Sequence, residues 1–473
     1  MQFDGVVISD WCAVSELIPH GIAADEKEAA VLALNAGVDI DMASPVYLKN
    51  LKELAEQKRI DEKQIDESVL RILTLKNKLG LFENPYKDGS EADHREAARD
   101  CAEKSFVLLK NEDSFLPLKK GKESVAFIGP FTDNQLLYGS WSFFGDEQDC
   151  VTVKAGVTQN YPDADVFFAQ GCPTADPGTN VLGFQKTPPK EEFDLQEALD
   201  TAVELAKKAD KVVLTLGEHR DYSGEGASRA DITLPSCQLE LFHKICEVNP
   251  NVCVVLFNGR PLDIREINQK AKAILESWLP GTEGGNALAG ILYGDASPSG
   301  RLSMSFPYCV GQVPVHYNHM STGRPFAGDY RTTRYNSKYL DIPNEPLYPF
   351  GYGLTYTAFE YSDISLDSDI LHKGDSICAS VRVTNTGERP GTETVQMYLH
   401  DVSASVTRPV RELKGFCKVF LEPGESRVIA FPITEDMLRF YNITMDYVSE
   451  PGQFEVFIGS DSTTSRKAVF SLC

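Results

Sequence analysis

Asp10 stands at a position where carboxylate chemistry is expected. It follows the apolar run Phe3–Ile8, which is typical of a buried parallel strand. In β/α folds the carboxyl ends of the strands carry the catalytic groups, so Asp10 is a candidate catalytic acid. Aspartate is also a common helix cap, and the residues alone slightly favour that structural interpretation. The neighbouring Trp11 is a candidate sugar-stacking surface, although tryptophan more commonly lies in a core.

A second candidate group lies in the polar loop Gly217–Arg229, which directly follows the strand-like run Lys211–Leu216. Two glycines flank Glu225, and their backbone freedom allows the loop to project that carboxylate outward. Arg229 is predicted to hold the loop or a partner acid through a bidentate pair. The alternative is a solvated acidic loop, which is a serious competitor in a chain of net charge −23.

Other polar motifs give weaker indications of a functional site. His316 and His319 are a possible ligand pair, but without further partners they are expected to be loop or surface histidines. Phe350–Leu354 contains two glycines, yet no helix clearly follows, which argues against a phosphate loop. A serine or cysteine nucleophile with evident partners is not recognised. Two carboxylates on different domains remain the best chemical hypothesis, and glycoside hydrolysis uses such a pair.

The elements around Asp10 predict two β/α units. After the first strand, a helix begins at the capping pair Asp25 and Glu28 and ends at Gly37. The run Val38–Met42 predicts a second strand. A later helix, which stops at Gly80, has an apolar stripe formed by Ile65, Val69, Ile72, Leu73 and Leu79.

The elements around Glu225 predict a mainly parallel, doubly wound sheet, because strand-like runs alternate with helical segments. The strand-like runs are Ser124–Pro130, Ala164–Gln170, Lys211–Glu218, Asn251–Gly259 and Ala273–Leu279. The helical segments are Leu195–Ala209, Gln238–Val248 and Gly285–Tyr293. From Ile377 onward the apolar residues recur with period two and turn signals separate short strands, which predicts a β-sandwich.

Composition narrows the function classes. At about 100–200 residues per domain, 473 residues allow two to four domains. The negative charge repels phosphate backbones and anionic lipids, so we expect neither a nucleic-acid nor a membrane partner, whereas a neutral substrate meets no such barrier. The eleven cysteines form no metal-binding spacing and favour mostly buried thiols in a reducing compartment. No metal or organic cofactor is implied.

Several motifs together resemble glycoside hydrolase family 3. The run from Phe3 to Trp11 looks like the nucleophile strand of that family, and Ser223–Arg229 resembles its acid/base loop. Residues 310–314 and 322–325 resemble the bacterial periplasmic-type β-glucosidases in particular. Further matching segments are Ser105–Leu118, Asn258–Pro261, Gly281–Asn286, Pro349–Thr357 and Arg408–Phe416.

The resemblance implies an α/β fold class with three parts. Residues 1–88 would be the remnant of a (β/α)₈ barrel, and residues 104–307 a doubly wound α/β sandwich. A linker over 308–360 would lead to a fibronectin-type-III-like β-sandwich over 361–473.

The resemblance also implies a retaining exo-glycosidase, most simply a β-glucosidase acting on an oligosaccharide or glycoside. Asp10 would be the nucleophile and Glu225 the acid/base, with Glu218 the alternative acid/base. Trp11 and Arg229 would contact the substrate. The alternatives are a β-xylosidase or α-arabinofuranosidase of the same family, or a non-catalytic carbohydrate-binding remnant.

The sequence departs from the family in its first domain. A complete barrel has eight β/α units in about 250 residues, and only two units precede the second domain here. We therefore expect a fragment with little activity and an uncovered apolar face that favours aggregation. No signal peptide is visible at Met1, and the compartment stays open between cytoplasm and periplasm.

Overall fold

The computed structural model describes residues 3–86, 94–142, 146–179, 193–326, 328 and 334–473. It divides into two compact units, residues 1–92 and 93–473, and each has hydrophobic clusters of its own. The predicted linker over 308–360 includes 327 and 329–333, which lie outside the described residues.

The first unit is mostly helical. Its helices are α1 (Ala13–Glu16), α2 (Glu26–Asn35), α3 (Val46–Glu56) and α4 (Glu62–Lys78). The predicted strands pair in parallel, but only through one bridge between Ile8 and Ile40. The prediction of a buried strand is wrong, since the Ile8 side chain is 51% exposed. No further strand in the described part of this unit pairs with these two segments.

Local signals in the first unit agree with the predictions. The Asp25 carboxylate accepts a hydrogen bond from Glu28 N (2.9 Å), and Glu28 accepts in return from Ala24 N (2.7 Å). Gly80 has φ +70°, the conformation that ends α4. The apolar stripe of α4 is largely exposed, and the only residue of the helix that is fully buried is Ser68. The predicted uncovered apolar face concerned the two strand segments, where Val7 and Ile8 are 39% and 51% exposed, whereas the exposure of the α4 stripe was not predicted.

The second unit begins with a six-stranded sheet. Its strands are β1 (Val107–Asn111), β2 (Val125–Ile128), β3 (Val166–Ala169), β4 (Lys211–Gly217), β5 (Val252–Phe257) and β6 (Ala273–Glu276). Their spatial order is β1-β6-β5-β4-β2-β3. Strands β2 to β6 are mutually parallel, which confirms the predicted doubly wound sheet, and β1 adds an antiparallel edge that the sequence did not reveal.

Helices cover both faces of this sheet. They are α5 (Arg95–Ser105), α6 (Val153–Asn160), α7 (Leu195–Lys208), α8 (Ser236–Val248), α9 (Arg265–Lys270) and α10 (Gly284–Leu292). Successive residues of a strand point to opposite faces. Val212 and Leu214 of β4 accordingly pack in one cluster with Leu241 of α8, whereas Val213 packs in the other with Leu288 of α10.

A β-sandwich follows, as predicted. One sheet contains β7 (Phe359–Tyr361), β8 (Ser365–Leu366), β10 (Ser376–Asn385) and β13 (Ser426–Thr434). The other contains β9 (Ile370–Leu371), β11 (Gly391–Asp401), β12 (Glu412–Leu421), β16 (Gly452–Gly459) and β17 (Lys467–Leu472). A small hairpin consists of β14 (Phe440–Tyr441) and β15 (Tyr447–Val448). The apolar residues of β10 that the period-two pattern placed on one side all lie in the sandwich core.

The described helices include none that is both long and apolar enough to span a bilayer.

Candidate active site

Asp10 lies two residues after the parallel bridge, at the carboxyl end of its segment. The side chains of Asp10 and Trp11 are exposed, and Trp11 is 70% exposed. The Asp10 Oδ1 atom accepts a hydrogen bond from the Trp11 amide at 2.6 Å. Helix α1 has Cys12 as its N-cap and no side-chain cap. The interpretations of Asp10 as a helix cap and of Trp11 as a core residue are therefore both wrong.

An ion pair between Asp39 and Arg71 holds the backbone segment that precedes Asp10. The Asp39 carboxylate, with 1% of its side chain exposed, accepts three hydrogen bonds from Arg71 (2.7, 3.0 and 3.2 Å) and one from Val7 N (2.9 Å). Burial raises the pKa of Asp39, but the hydrogen bonds from Arg71 and Val7 N outweigh it, so the net pKa is lowered. Ser9 Oγ accepts from Met42 N (2.8 Å), which links the two paired segments beside Asp10.

Glu225 is an exposed side chain on the loop that follows β4. The flanking Gly224 and Gly226 have φ +106° and +68°, a region that favours glycine. A Cβ atom at Gly224 would lie only 2.3 Å from Ser140 Oγ, so the loop also needs a residue without a side chain there. These two glycines turn the backbone on either side of Glu225, whose side chain is exposed to solvent.

Glu218 occupies a different environment at the end of the same strand. Its side chain is 1% exposed. The Oε1 atom accepts from Arg229 Nη1 (2.6 Å), and Oε2 accepts from Arg260 Nε (3.3 Å). A glycosidic oxygen cannot reach a carboxylate enclosed in this way. Of the two glutamates considered from the sequence, Glu225 is the one that solvent and a ligand can reach.

The contacts of the Arg229 side chain stabilise the loop. Besides its ion pair with Glu218, its guanidinium lies 4.9 Å from the centre of the Tyr222 ring, and Nη2 donates to Thr233 O (3.4 Å). A partner acid for Arg229 was foreseen from the sequence, but its burial was not, and the predicted bidentate geometry is wrong because Nη1 contacts Glu218 while Nη2 donates to Thr233 O. The substrate contact inferred for Arg229 from the resemblance stays a prediction.

Trp141 is a candidate substrate contact that sequence reasoning missed. Its side chain is 61% exposed, and its Nε1 atom lies 3.4 Å from the position of a Cβ built on Gly224. The preceding Ser140 donates its hydroxyl hydrogen bond to Ser223 O (2.9 Å). Trp141 lies more than 80 residues before Glu225 in the chain, so the sequence does not place the two residues together. The one local signal was an aromatic residue in a segment rich in Gly and Ser.

A third glutamate lies buried at the same edge of the sheet. Glu276, the last residue of β6, is fully buried and accepts from Trp278 N (2.7 Å) and Asn258 Nδ2 (3.0 Å). Burial raises the pKa of Glu276 to about 8, with a smaller contribution from the charge of Glu218.

The remaining polar candidates form no site. His316 and His319 are both exposed, and no cluster of three or more metal-ligating side chains occurs within the described ranges. All eleven cysteines are described and free. Four of them are buried and two are exposed, so the expectation of mostly buried thiols is only partly met.

Comparison with known proteins identifies the family. The model for the glycosyl hydrolase family 3 C-terminal domain matches residues 106–356, which is more than half of the chain. The N-terminal domain model of that family matches residues 1–75, and a fibronectin type III-like domain model matches residues 393–462. The chain belongs to glycosyl hydrolase family 3.

Individual proteins are similar over almost the whole chain. The periplasmic β-glucosidase of Salmonella typhimurium is 43% identical over 99% of this chain. A β-xylosidase of Formosa agariphila is 36% identical over 100% of it. The crystal structure of a β-glucosidase from Listeria innocua in complex with gluconolactone superposes with a TM-score of 0.91 at 40% identity, over 100% of this chain and 63% of that one. The chain spans 63% and 65% of the lengths of the first two relatives.

Proposed function

We propose that this family 3 chain carries the catalytic carboxylates of a retaining, exo-acting β-glucosidase, which releases terminal β-D-glucosyl residues. The observation that carries the proposal is the contrast at the end of β4, where Glu218 is buried in ion pairs and Glu225 stands exposed. Membership of family 3 and the β-glucosidases among the relatives support the reaction class.

The proposed reaction proceeds in two displacements. Glu225 donates a proton to the leaving oxygen while the Asp10 carboxylate attacks the anomeric carbon, which forms a glycosyl ester and breaks the glycosidic bond. Glu225 then removes a proton from water, whose oxygen attacks the anomeric carbon and releases Asp10. This mechanism requires the two carboxyl groups about 5–5.5 Å apart at one sugar ring. It uses no metal or organic cofactor.

The proposed substrate is a neutral oligosaccharide or glycoside. The exposed aromatic surfaces of Trp11 and Trp141 suit the apolar face of a sugar ring. A pentose substrate is the second candidate, because a β-xylosidase is among the similar relatives. For the compartment, the name of the Salmonella relative supports the periplasm, whereas eleven free thiols support a reducing compartment. Fractionation of the producing cells distinguishes the two.

The test compares this chain with a fusion protein. In the fusion, the chain is preceded by the N-terminal residues of the Salmonella relative that it does not match. Both are assayed with p-nitrophenyl β-glucoside, β-xyloside and α-arabinofuranoside. We expect the fusion to hydrolyse the β-glucoside fastest and the chain alone to hydrolyse it feebly, because two β/α units provide few of the contacts that bind the transition state. Rapid turnover by the chain alone would refute this expectation.

Single substitutions in the fusion protein test the two roles, Asp10→Asn that of the nucleophile and Glu225→Gln that of the acid/base. Asp10→Asn should abolish hydrolysis, and a 2-fluoro-glucoside should label Asp10 covalently in the unsubstituted fusion. Asp4→Asn and Glu240→Gln, both at exposed positions, serve as matched controls. Hydrolysis that survives Asp10→Asn, or a label on another residue, contradicts the assignment. Retained polysaccharide binding without hydrolysis favours the non-catalytic alternative.

A further inference from the structure

The loop that carries Glu225 is closed by one guanidinium group. Arg260 Nη2 donates to the carbonyl oxygens of Tyr222 and, at 2.8 Å, of Ala227. These two residues lie on either side of the exposed stretch that contains Glu225. The Nε atom of the same arginine pairs with Glu218 (3.3 Å). The Arg260 guanidinium therefore connects the backbone on both sides of this exposed stretch to the buried Glu218 carboxylate at the end of β4.

Arg260 is itself held from the next strand. The side chain of Asn258, which follows β5 and is fully buried, donates to Arg260 O (2.8 Å). The same amide donates to Glu276 Oε2 (3.0 Å) at the end of β6. Because β4, β5 and β6 are neighbours in the sheet, the hydrogen bonds connect three consecutive strand ends. The guanidinium thus has a rigid base from which to hold the loop.

The described stretch Ser223–Ala230, which contains Glu225, has no helix or strand. Glycines on both sides of Glu225 give that part of the backbone the greatest conformational freedom. On the N-terminal side of Glu225, Ser140 donates a hydrogen bond to Ser223 O and Ser223 packs closely against Gly259. On the C-terminal side, the Arg229 side chain reaches Glu218 and Thr233 O. Among the hydrogen bonds described for residues 217–229, those donated by Arg260 are the ones that hold the loop backbone on both sides of Glu225.

We infer that Arg260 is a positioning residue, which keeps the Glu225 carboxyl group where the leaving oxygen receives its proton. The inference rests on the proposed function of Glu225. A misplacement of about 1 Å in a reacting group can reduce a rate about 100-fold. Lysine preserves the charge opposite Glu218 but has no planar fork to bridge two carbonyl oxygens and a carboxylate.

Limited proteolysis of the full 473-residue chain tests whether Arg260 orders the loop. Endoproteinase Glu-C cleaves after glutamate, and cleavage after Glu225 requires the loop to leave its held conformation. We expect about tenfold faster cleavage there in Arg260→Lys than in the unsubstituted chain, since local opening controls such cleavage. The matched control is Arg265→Lys, because the contacts described for the Arg265 side chain are with Asp263 (2.8 and 2.9 Å) and the Tyr308 ring, and neither belongs to the loop.

Circular dichroism first establishes that each variant is folded. A second variant, Arg260→Gln, which keeps one amide donor but not the charge opposite Glu218, replaces Arg260→Lys if the latter does not fold. Cleavage after Glu225 that is equally slow in the folded Arg260 variant and the control overturns the inference.

Leaving-group dependence in the fusion protein then tests the link to Glu225. Cellobiose needs a proton on its leaving oxygen, whereas 2,4-dinitrophenyl β-glucoside does not. For Arg260→Lys we expect kcat/KM to fall about 100-fold with cellobiose and less than about threefold with the dinitrophenyl substrate. Glu225→Ala should show the same selectivity more strongly, and azide should restore its activity with the dinitrophenyl substrate.

The outcomes separate the two proposals. Equal losses with both substrates in Arg260→Lys overturn the positioning role. A Glu225→Ala protein without selectivity contradicts the proposed function instead, and in that case proteolysis alone decides whether Arg260 holds the loop.

Discussion

At the scale of single residues, burial distinguishes two glutamates that lie seven positions apart. Glu218 is enclosed by Arg229 and Arg260, whereas Glu225 is exposed between two glycines. Removal of one partner from a buried ion pair leaves uncompensated charge and costs about 3–5 kcal/mol. The same change at an exposed position has little effect on the free energy of unfolding.

We therefore predict opposite outcomes for two identical substitutions. Glu218→Gln should lower the free energy of unfolding by about 3 kcal/mol, because both guanidinium groups lose their counter-charge. Glu225→Gln should leave stability within about 0.5 kcal/mol and reduce hydrolysis of poor leaving groups by about 10²–10⁴-fold in the fusion protein. Urea unfolding and steady-state kinetics measure the two effects. A stability loss confined to Glu225→Gln would contradict the description of the site.

At the scale of elements, the ends of β4, β5 and β6 bring buried polar groups together at one edge of the sheet. Glu276 at the end of β6 has its pKa raised to about 8, mainly by burial. The folded state therefore keeps a proton that the unfolded chain releases near the ordinary glutamate pKa of about 4.3. The resulting stability is fully present at low pH and is lost as the pH rises toward 8.

We predict that Glu276→Gln removes this pH dependence. Between about pH 5 and 8, the unfolding free energy of the unsubstituted protein should fall relative to that of the variant by up to about 1.4 kcal/mol per pH unit. Urea unfolding followed by tryptophan fluorescence suits the measurement, because Trp278 N donates to Glu276. Glu240→Gln on the exposed side of α8 is the control. Parallel pH profiles for the unsubstituted protein and Glu276→Gln would show that the burial of Glu276 has no such consequence.

At the scale of the whole molecule, the first unit exposes an unusual amount of apolar surface. Val69 and Leu73 on α4 and Leu79 at its C-cap are 44–54% exposed. Contiguous exposed apolar patches favour association. The net charge of −23 opposes it through repulsion between chains, and salt screens that repulsion.

We predict salt-dependent self-association of the chain through this face. Light scattering should detect oligomers that increase between about 0.05 and 0.5 M salt, because the Debye length falls over that range. The triple substitution of Val69, Leu73 and Leu79 by Gln should suppress them without loss of helix content. Phe416→Gln, at a residue of the sandwich that is 66% exposed, is the control. Unchanged oligomers in the triple variant would place the association elsewhere.

The sequence by itself determined the elements whose signals are local. Alternating apolar residues predicted β10, continuous apolar runs predicted β2 to β6, and the Asp25 and Glu28 pair predicted the start of α2. Each of these patterns depends on neighbours within a few residues, so it survives without knowledge of the fold. The motifs also located both candidate carboxylates at the ends of strand-like segments.

Only the tertiary structure decided the environment of those carboxylates. The sequence did not reveal the burial of Glu218, the contact of Arg260 with both sides of the loop, or the position of Trp141 beside Gly224. These features depend on residues that are far apart in the chain. The hydrogen bond from Arg260 to Tyr222 spans 38 positions, and that from Ser140 to Ser223 spans 83. The exposure of α4 likewise depends on whether another element packs on it, which its own periodicity does not reveal. Burial and long-range contact are properties of the packed chain, because they arise only when distant segments exclude water together.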